Sequence, residues 1–145
     1  MSASMQATPV APEPLHADCW TAVDTNTAQL TAYRCTKCAT HFLPRVMTCT
    51  TCGGTTFDRA PLAPFGTLYT YTIVHNAGGV WPAVYAVGYV DFPEGARVFG
   101  QLRETAPEAL AVGARVGIEP AVIYQRKDGT PVTSFRFHLV DKEAQ

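Results

Sequence analysis

This sequence contains few charged residues. Only 16% of its 145 residues are Asp, Glu, Lys or Arg, where an ordinary soluble domain has about a quarter. Lysine occurs only at Lys37, Lys127 and Lys142, so arginine carries most of the positive charge. Because interface cores are depleted in charge, the deficit favours a surface that meets a partner. A genome that favours arginine is the alternative explanation.

A basic excess and long apolar runs are also absent. The net charge is −1, which argues against a protein built to hold a nucleic-acid backbone. No run of about 18 apolar residues occurs, so we expect no membrane span. Residues 1–18 have neither a basic start nor an apolar core, so we expect no secretory leader. Cysteines at metal spacing suit a reducing compartment, and we predict a cytoplasmic protein.

The sequence also lacks the usual marks of catalysis. We find no nucleophile elbow, no phosphate-cradling glycine loop and no open metal site. Four of the five cysteines fall into one motif, and Cys19 is left over. An isolated cysteine is more often a small buried hydrophobe than a nucleophile. We therefore predict no catalytic residue in this chain.

What the sequence does contain is a pair of C-x-x-C motifs. Cys35 and Cys38 form the first, and Cys49 and Cys52 form the second, followed by Gly53 and Gly54. Two such turns aim four thiolates at one point, which suits a closed tetrahedral zinc site of structural type. A redox dithiol and a pair of disulfides are the alternatives, and iron is the main competitor for the site. His41, between the two motifs, is not needed as a ligand.

Strand-like segments follow the cysteine motifs. We predict five strands, with one helical turn at Thr105–Leu110 between the third and the fourth, and an Asp-Gly hairpin turn at residues 127–130. This pattern matches an OB-fold barrel. The predicted fold is therefore mainly β, with an N-terminal rubredoxin-like zinc ribbon and a five-stranded OB-fold barrel. The predicted strands are residues 66–75, 83–91, 96–102, 114–126 and 132–140.

Three regions are predicted from these signals. Residues 1–32 are an N-terminal arm, residues 33–57 the zinc ribbon and residues 61–141 the OB-fold domain. Prolines make residues 1–15 extended, whereas residues 16–32 are compatible with a short helix that Asp18 caps and that buries Trp20 and Val23. Residues 58–65 contain two prolines and are predicted to be a linker.

The order of these modules, together with short motifs, resembles a known family. The motifs include Phe42-Leu43-Pro44-Arg45 before the second cysteine pair, residues 66–72 (GTLYTYT), residues 86–91 (AVGYVD) and residues 94–102 (EGARVFGQL). On these residues the chain resembles the acyl-CoA-associated rubredoxin-like zinc-ribbon/OB-fold family over about residues 30–140. Members of that family are small subunits and appended domains of thiolase-like and hydratase-like enzymes.

The resemblance implies a non-catalytic subunit that supports acyl-CoA binding and shapes the active-site cavity of a thiolase-like partner. It implies structural zinc, a CoA thioester as ligand of the complex, and a heterotetramer of two small and two large chains. Two alternatives stay open: a single-strand nucleic-acid-binding OB-fold protein, and a subunit of an acyl-CoA hydratase or retro-aldolase complex.

Residues that meet CoA or the partner are predicted from this implied role. Arginine binds phosphate through its planar fork, and loops at one mouth of an OB barrel often form its ligand site. The Asn76–Pro82 loop is expected to shape the acyl tunnel, and one or two arginines to steady the CoA phosphates. The predicted residues are His75, Trp81, Arg97, Arg103 and Arg136.

Overall fold

The computed structural model describes residues 13–75, 79 and 81–140, and ten strands run through them. The N-terminal half contains β1 (Glu13–Pro14), β2 (Trp20–Ala22), β3 (Ala28–Cys35), β4 (His41–Phe42) and β5 (Phe57–Pro61). The second half contains β6 (Phe65–His75), β7 (Val84–Asp91), β8 (Arg97–Leu102), β9 (Arg115–Gln125) and β10 (Pro131–Leu139). A short 3-10 turn at Pro107–Ala109 lies between β8 and β9.

Strands β6 to β10 close into a five-stranded barrel. Antiparallel pairs join β6 to β7, β7 to β8, β6 to β9 and β9 to β10. A parallel contact between β8 and β10, at Leu102 and Phe137, completes the ring. This order, with a turn between the third and fourth strands, is the predicted OB-fold topology. The prediction of a mainly β protein with a ribbon and a barrel is confirmed.

Alternation of side chains explains why these segments form barrel strands. Along β8 the exposed Phe99 separates the buried Val98 and Gly100, as period-two patterning requires. A Cβ atom on Gly100 would lie 2.6 Å from the ring of Phe137. A Cβ atom on Gly88 would lie 2.5 Å from the Thr70 carbonyl oxygen. Glycine at both positions is therefore required by close approach inside a narrow barrel.

The ribbon sheet is built around β3, which pairs with β2, β4 and β5. Its first half enters the hydrophobic core of the barrel, where Leu30 and Ala32 are fully buried. Leu62, just after β5, joins the same core, and its N–H donates to the Leu30 carbonyl at 2.9 Å. The two modules therefore share one continuous core.

The prediction of a short helix within residues 16–32 was wrong. Turns, the strand β2 and the start of β3 occupy these residues, and Val23 is 62% exposed. Asp18 does not cap a helix; its Oδ2 accepts a hydrogen bond from the Tyr33 hydroxyl at 2.9 Å. Pairing with β3 supplies the backbone hydrogen bonds that a helix would have made.

Within the predicted linker, residues 58–61 belong to β5, which pairs with β3 along its length. The fourth barrel strand, β9, continues through Pro120, which is paired with Phe135. Residues 1–12 of the predicted arm lie outside the described residues. The described part of the chain contains no helix with the length and hydrophobicity that crossing a bilayer requires.

Truncation of Leu30 tests the shared core. Leu30→Ala should lower the free energy of unfolding by about 2–5 kcal/mol, because it removes a fully buried side chain and leaves a cavity. Urea unfolding of the metal-loaded protein, followed by tryptophan fluorescence and by circular dichroism, measures the change. The matched control Val23→Ala changes an exposed side chain and should cost less than about 0.5 kcal/mol. Separate transitions for ribbon and barrel in the unaltered chain would contradict a shared core.

Candidate metal centre and ligand surfaces

The two C-x-x-C motifs form two turns with the same hydrogen bonding. The Ala39 N–H donates to the Cys35 carbonyl, and the Gly53 N–H donates to the Cys49 carbonyl, both at 2.9 Å. The donor residue has a positive φ in each turn, 65° at Ala39 and 80° at Gly53. The sequence indicates the second turn through its glycine, whereas an alanine in this conformation leaves no such signal.

The four sulfur atoms converge on one point. All lie within 4.8 Å of one another, with 3.6 Å between Cys35 and Cys52 and 3.5 Å between Cys38 and Cys49. A disulfide requires about 2.05 Å. Zn–S bonds of about 2.3 Å give a tetrahedron with edges of about 3.8 Å. The arrangement therefore fits a four-thiolate metal site and not two disulfides.

Hydrogen-bond donors of the backbone and of a side chain favour the thiolate form of Cys35 and Cys38. N–H groups of Cys38 and Lys37 lower the pKa of the Cys35 thiol, and the Thr40 hydroxyl lowers that of Cys38. Gly54 lies so close that a Cβ atom there would be 3.2 Å from the Cys35 sulfur. Glycine at position 54 therefore lets the second turn close over the site.

The pKa of Cys52 is shifted in the opposite direction from those of Cys35 and Cys38. The Gly54 N–H lowers the pKa of Cys52, but the neighbouring sulfurs, with burial, outweigh it and raise that pKa to about 11. Four thiolates repel one another unless a cation lies between them. With four protein ligands and no open position, a zinc ion here would hold the ribbon together and would not activate water.

Cys19 is not part of this cluster. It is 1% exposed, and its pKa is raised to about 11, chiefly by burial and then by the adjacent Asp18 carboxylate. A buried thiol with a raised pKa is a poor nucleophile. Cys19 therefore packs as a small apolar residue, as the sequence predicted.

Two of the predicted phosphate-binding arginines already hold a carboxylate of this chain. Glu119, which is 6% exposed, accepts from the Arg136 Nε at 2.8 Å and from the Arg103 Nη1 at 3.0 Å. Arg103 also lies 3.5 Å from Glu104. The structure therefore brings Arg103 and Arg136 together around an internal negative charge, which compensates part of their positive charge.

Arg97 is engaged in the same way. Its Nε and Nη2 donate to the two oxygens of Asp91 at 2.6 and 3.0 Å, and its guanidinium lies 3.5 Å from the centre of the Tyr69 ring. The Asp91 carboxylate is the main cause of a raised pKa of Arg97. The guanidinium is therefore fixed over Tyr69 with much of its charge compensated.

His75 and Trp81 flank the predicted acyl-tunnel loop. His75 is the exposed last residue of β6, opposite Val84. The Trp81 ring stacks on Tyr85 with centroids 5.5 Å apart and lies 4.8 Å from the Tyr124 centroid. Residues 76–78 and 80, which complete this loop, lie outside the described residues, so its role stays a prediction.

Beside Trp81 lies an apolar groove that the sequence did not predict. Its volume is about 440 Å³. The groove brings together residues from five strands and from segments beside strands, so no local pattern marks it. The lining residues are Leu15, His16, Val74, Trp81, Tyr85, Val87, Phe99, Gly100, Gln101, Ile123, Ser134 and Phe135.

Comparisons with known proteins match both modules. A family model described as "ChsH2, rubredoxin-like zinc ribbon domain" matches residues 28–58, and one described as "ChsH2, C-terminal OB-fold domain" matches residues 60–119. The chain is 34% identical over 113 residues to "Benzoylsuccinyl-CoA thiolase subunit BbsA" of Thauera aromatica, covering 77% of this chain and 76% of that protein. This chain belongs to the ChsH2 family.

Two further proteins are also similar to this chain. A "DUF35 domain-containing scaffold protein" of Methanocaldococcus jannaschii is 33% identical over 90 residues, covering 60% of this chain and 64% of that protein. The solved structure of an "Ltp2-ChsH2(DUF35) aldolase" matches with a TM-score of 0.58 and 26% identity, covering 74% of this chain and 84% of that chain. The family resemblance seen in the sequence is thus confirmed.

Loss of any ligand cysteine in this ChsH2-family chain should abolish metal binding. Cys49→Ser is expected to lose the metal and to unfold residues 33–57, since metal binding supplies the folding energy of such small modules. Elemental analysis and amide NMR spectra of the purified protein measure both effects. Cys19→Ala is the matched control and should keep one metal ion per chain. Purified unaltered protein without stoichiometric zinc or iron would refute the site.

Proposed function

We propose that this chain is a non-catalytic subunit of a complex whose catalytic chain is thiolase-like and acts on an acyl-CoA. The observation that carries the proposal is the similarity to a thiolase subunit across both the ribbon and the barrel. A match to one module alone would point only to a common fold. Similarity to both modules in the same order also supports a similar role.

The chemistry of the described residues supports a non-catalytic role. A thiolase needs a reactive cysteine, a general base and an oxyanion hole. Here four cysteines surround one point, and Cys19 is buried with a raised pKa. Each of these thiols is therefore committed to metal binding or to packing, and the reaction belongs to the partner.

Exposed aromatic side chains on the barrel supply a surface for that partner. Tyr89 and Phe99 face each other across β7 and β8, with ring centroids 5.2 Å apart, and both are exposed. Tyr69, Trp81, Val84 and Val122 are further exposed apolar side chains of the barrel. Apolar surface of this kind is typical of binding sites, and the scarcity of charge in the sequence agrees with it.

In the proposed assembly the zinc ribbon is structural, and two small chains join two large ones. The acyl-CoA lies at the active site of the large chain, whose cavity the small chain helps to shape. The Trp81 groove and the Asn76–Pro82 loop are the candidates for that contribution. Similarity to a structure described as an aldolase supports a partner that makes or breaks carbon–carbon bonds by either a thiolase or a retro-aldol reaction.

Co-purification tests the proposal directly. The tagged chain, isolated under mild conditions from its own host, should bring with it a thiolase-like polypeptide identified by mass spectrometry. Sedimentation of the complex should give two copies of each chain. Recovery of single-stranded nucleic acid in place of such a polypeptide would support the alternative OB-fold function and overturn this one.

Substitution within the exposed Tyr89–Phe99 pair tests where the partner binds. Phe99→Arg should abolish co-purification, since it places a charge within the apolar contact. Val112→Arg is the matched control, because Val112 is also exposed but lies outside the barrel strands, after the 3-10 turn. The control should bind normally. Normal assembly of Phe99→Arg would show that the partner uses another surface.

A further inference from the structure

Seven of the eight arginines fall into two groups according to what holds their guanidinium. Four of them lie within ion-pair distance of a carboxylate. Three others have no carboxylate within 4.0 Å among the described residues, and each lies over an aromatic ring instead. The paired group is Arg34, Arg97, Arg103 and Arg136, and the ring-held group is Arg45, Arg59 and Arg115.

A guanidinium over a ring keeps its charge, and its N–H edge remains available to an anion. Two of the three ring-held arginines share Tyr33 of the ribbon, with guanidinium carbons 5.0 and 5.8 Å from its centroid. Arg59 there also donates to the Asp18 backbone carbonyl. Arg115 differs from both because it lines a cleft, where its guanidinium carbon lies 4.3 Å from the centre of the Phe65 ring.

The cleft lies on the barrel beside the connection from the ribbon. Its volume is about 490 Å³, which is within the usual range for small-molecule sites. Phe65, Phe92, Pro64 and Pro93 supply apolar walls. Gly66 also lines the cleft, and a Cβ atom there would be 2.5 Å from the Val90 side chain.

Polar residues form one row over four neighbouring strands, and three of them, Arg115, Thr67 and Asp91, line the cleft. Thr67 on β6 is paired with Arg115 on one side and with Asp91 on the other, and Asp91 is paired with Arg97. Arg97 holds both Asp91 oxygens. The row therefore carries a net charge of +1, located at the Arg115 end beside the Thr67 hydroxyl.

We propose that this Arg115–Phe65 cleft binds the phosphate-bearing end of an organic ligand. The Arg115 fork and the Thr67 hydroxyl donate to phosphate oxygens, and the apolar walls receive the planar part of the ligand. If the proposed function is right, that ligand is the 3′-phosphoadenosine end of CoA. The identification of CoA as the ligand depends on the proposed function, whereas the anion site is inferred from the geometry of the row.

Titration of the full chain with adenosine 3′,5′-bisphosphate tests the site. Nitrogen-15 NMR of the arginine Nε–H groups and the amide groups reports binding residue by residue. Arg115 and the β6 residues around Thr67 should shift, with saturation. Adenosine alone should bind at least about tenfold more weakly, because it lacks the charge-assisted hydrogen bonds.

Two variants, one without a positive charge and one without a negative charge, distinguish anion binding by Arg115 from a merely structural role of that residue. Arg115→Gln should weaken the bisphosphate at least about tenfold and reduce the salt dependence of its affinity. Asp91→Asn should strengthen binding, because it removes the negative charge at the other end of the row. Arg45→Gln is the matched control: it removes a ring-held arginine of the ribbon and should change the affinity less than about twofold.

Three results would overturn the proposal. Shifts that map away from β6 and β9 would place the ligand elsewhere. Equal weakening by Arg45→Gln and Arg115→Gln would show only a general effect of net charge. Equal affinity for inorganic phosphate and the bisphosphate would make this a free-phosphate site. Because the titration uses the chain alone, each of these failures leaves the co-purification result untouched, and a missing partner leaves the titration untouched.

Discussion

Burial of strand β3 joins the two modules of this protein. Leu30 and Ala32 lie in the barrel core, and Cys35, at the end of the same strand, is one of the four sulfur residues. A ribbon of this size cannot bury enough apolar surface to fold by itself. Its strands are therefore fixed at one end by the shared core and at the other by the metal site. Each anchor limits how far the other can move.

The features that could be predicted from the sequence are those that depend on residues close together in the chain. Two C-x-x-C pairs place four thiols by local turns, and the alternating strands after Gly66 show their burial pattern over a few residues. At residues 16–32 the local pattern was misleading. The capping residue Asp18 instead accepts a hydrogen bond from Tyr33, fifteen positions away, and β2 depends on pairing with β3. Tertiary contacts override local preference in such short segments.

The ligand surfaces depended still more on distant partners. In the sequence Arg103 and Arg136 are equally suited to phosphate, but in the structure both donate to Glu119 on β9. The row from Arg115 to Arg97 draws one residue from each of four strands, and only the barrel register aligns them. The sequence gives the number of charged residues, but only the strand register in the folded protein shows which charges are compensated by a neighbour.

Closure of the barrel has a consequence for how this protein diversifies. Each of the five barrel strands has a hydrogen-bonded neighbour on both sides. Recognition on its outer face therefore depends on side chains, because the backbone groups of these strands are largely occupied with one another. Residues such as Tyr89 and Phe99 can be exchanged without breaking the ladder that supports them. Substitutions that suit a new partner can thus occur on the exposed face of the barrel without disturbing its core. Binding specificity and folding stability can therefore change independently of each other.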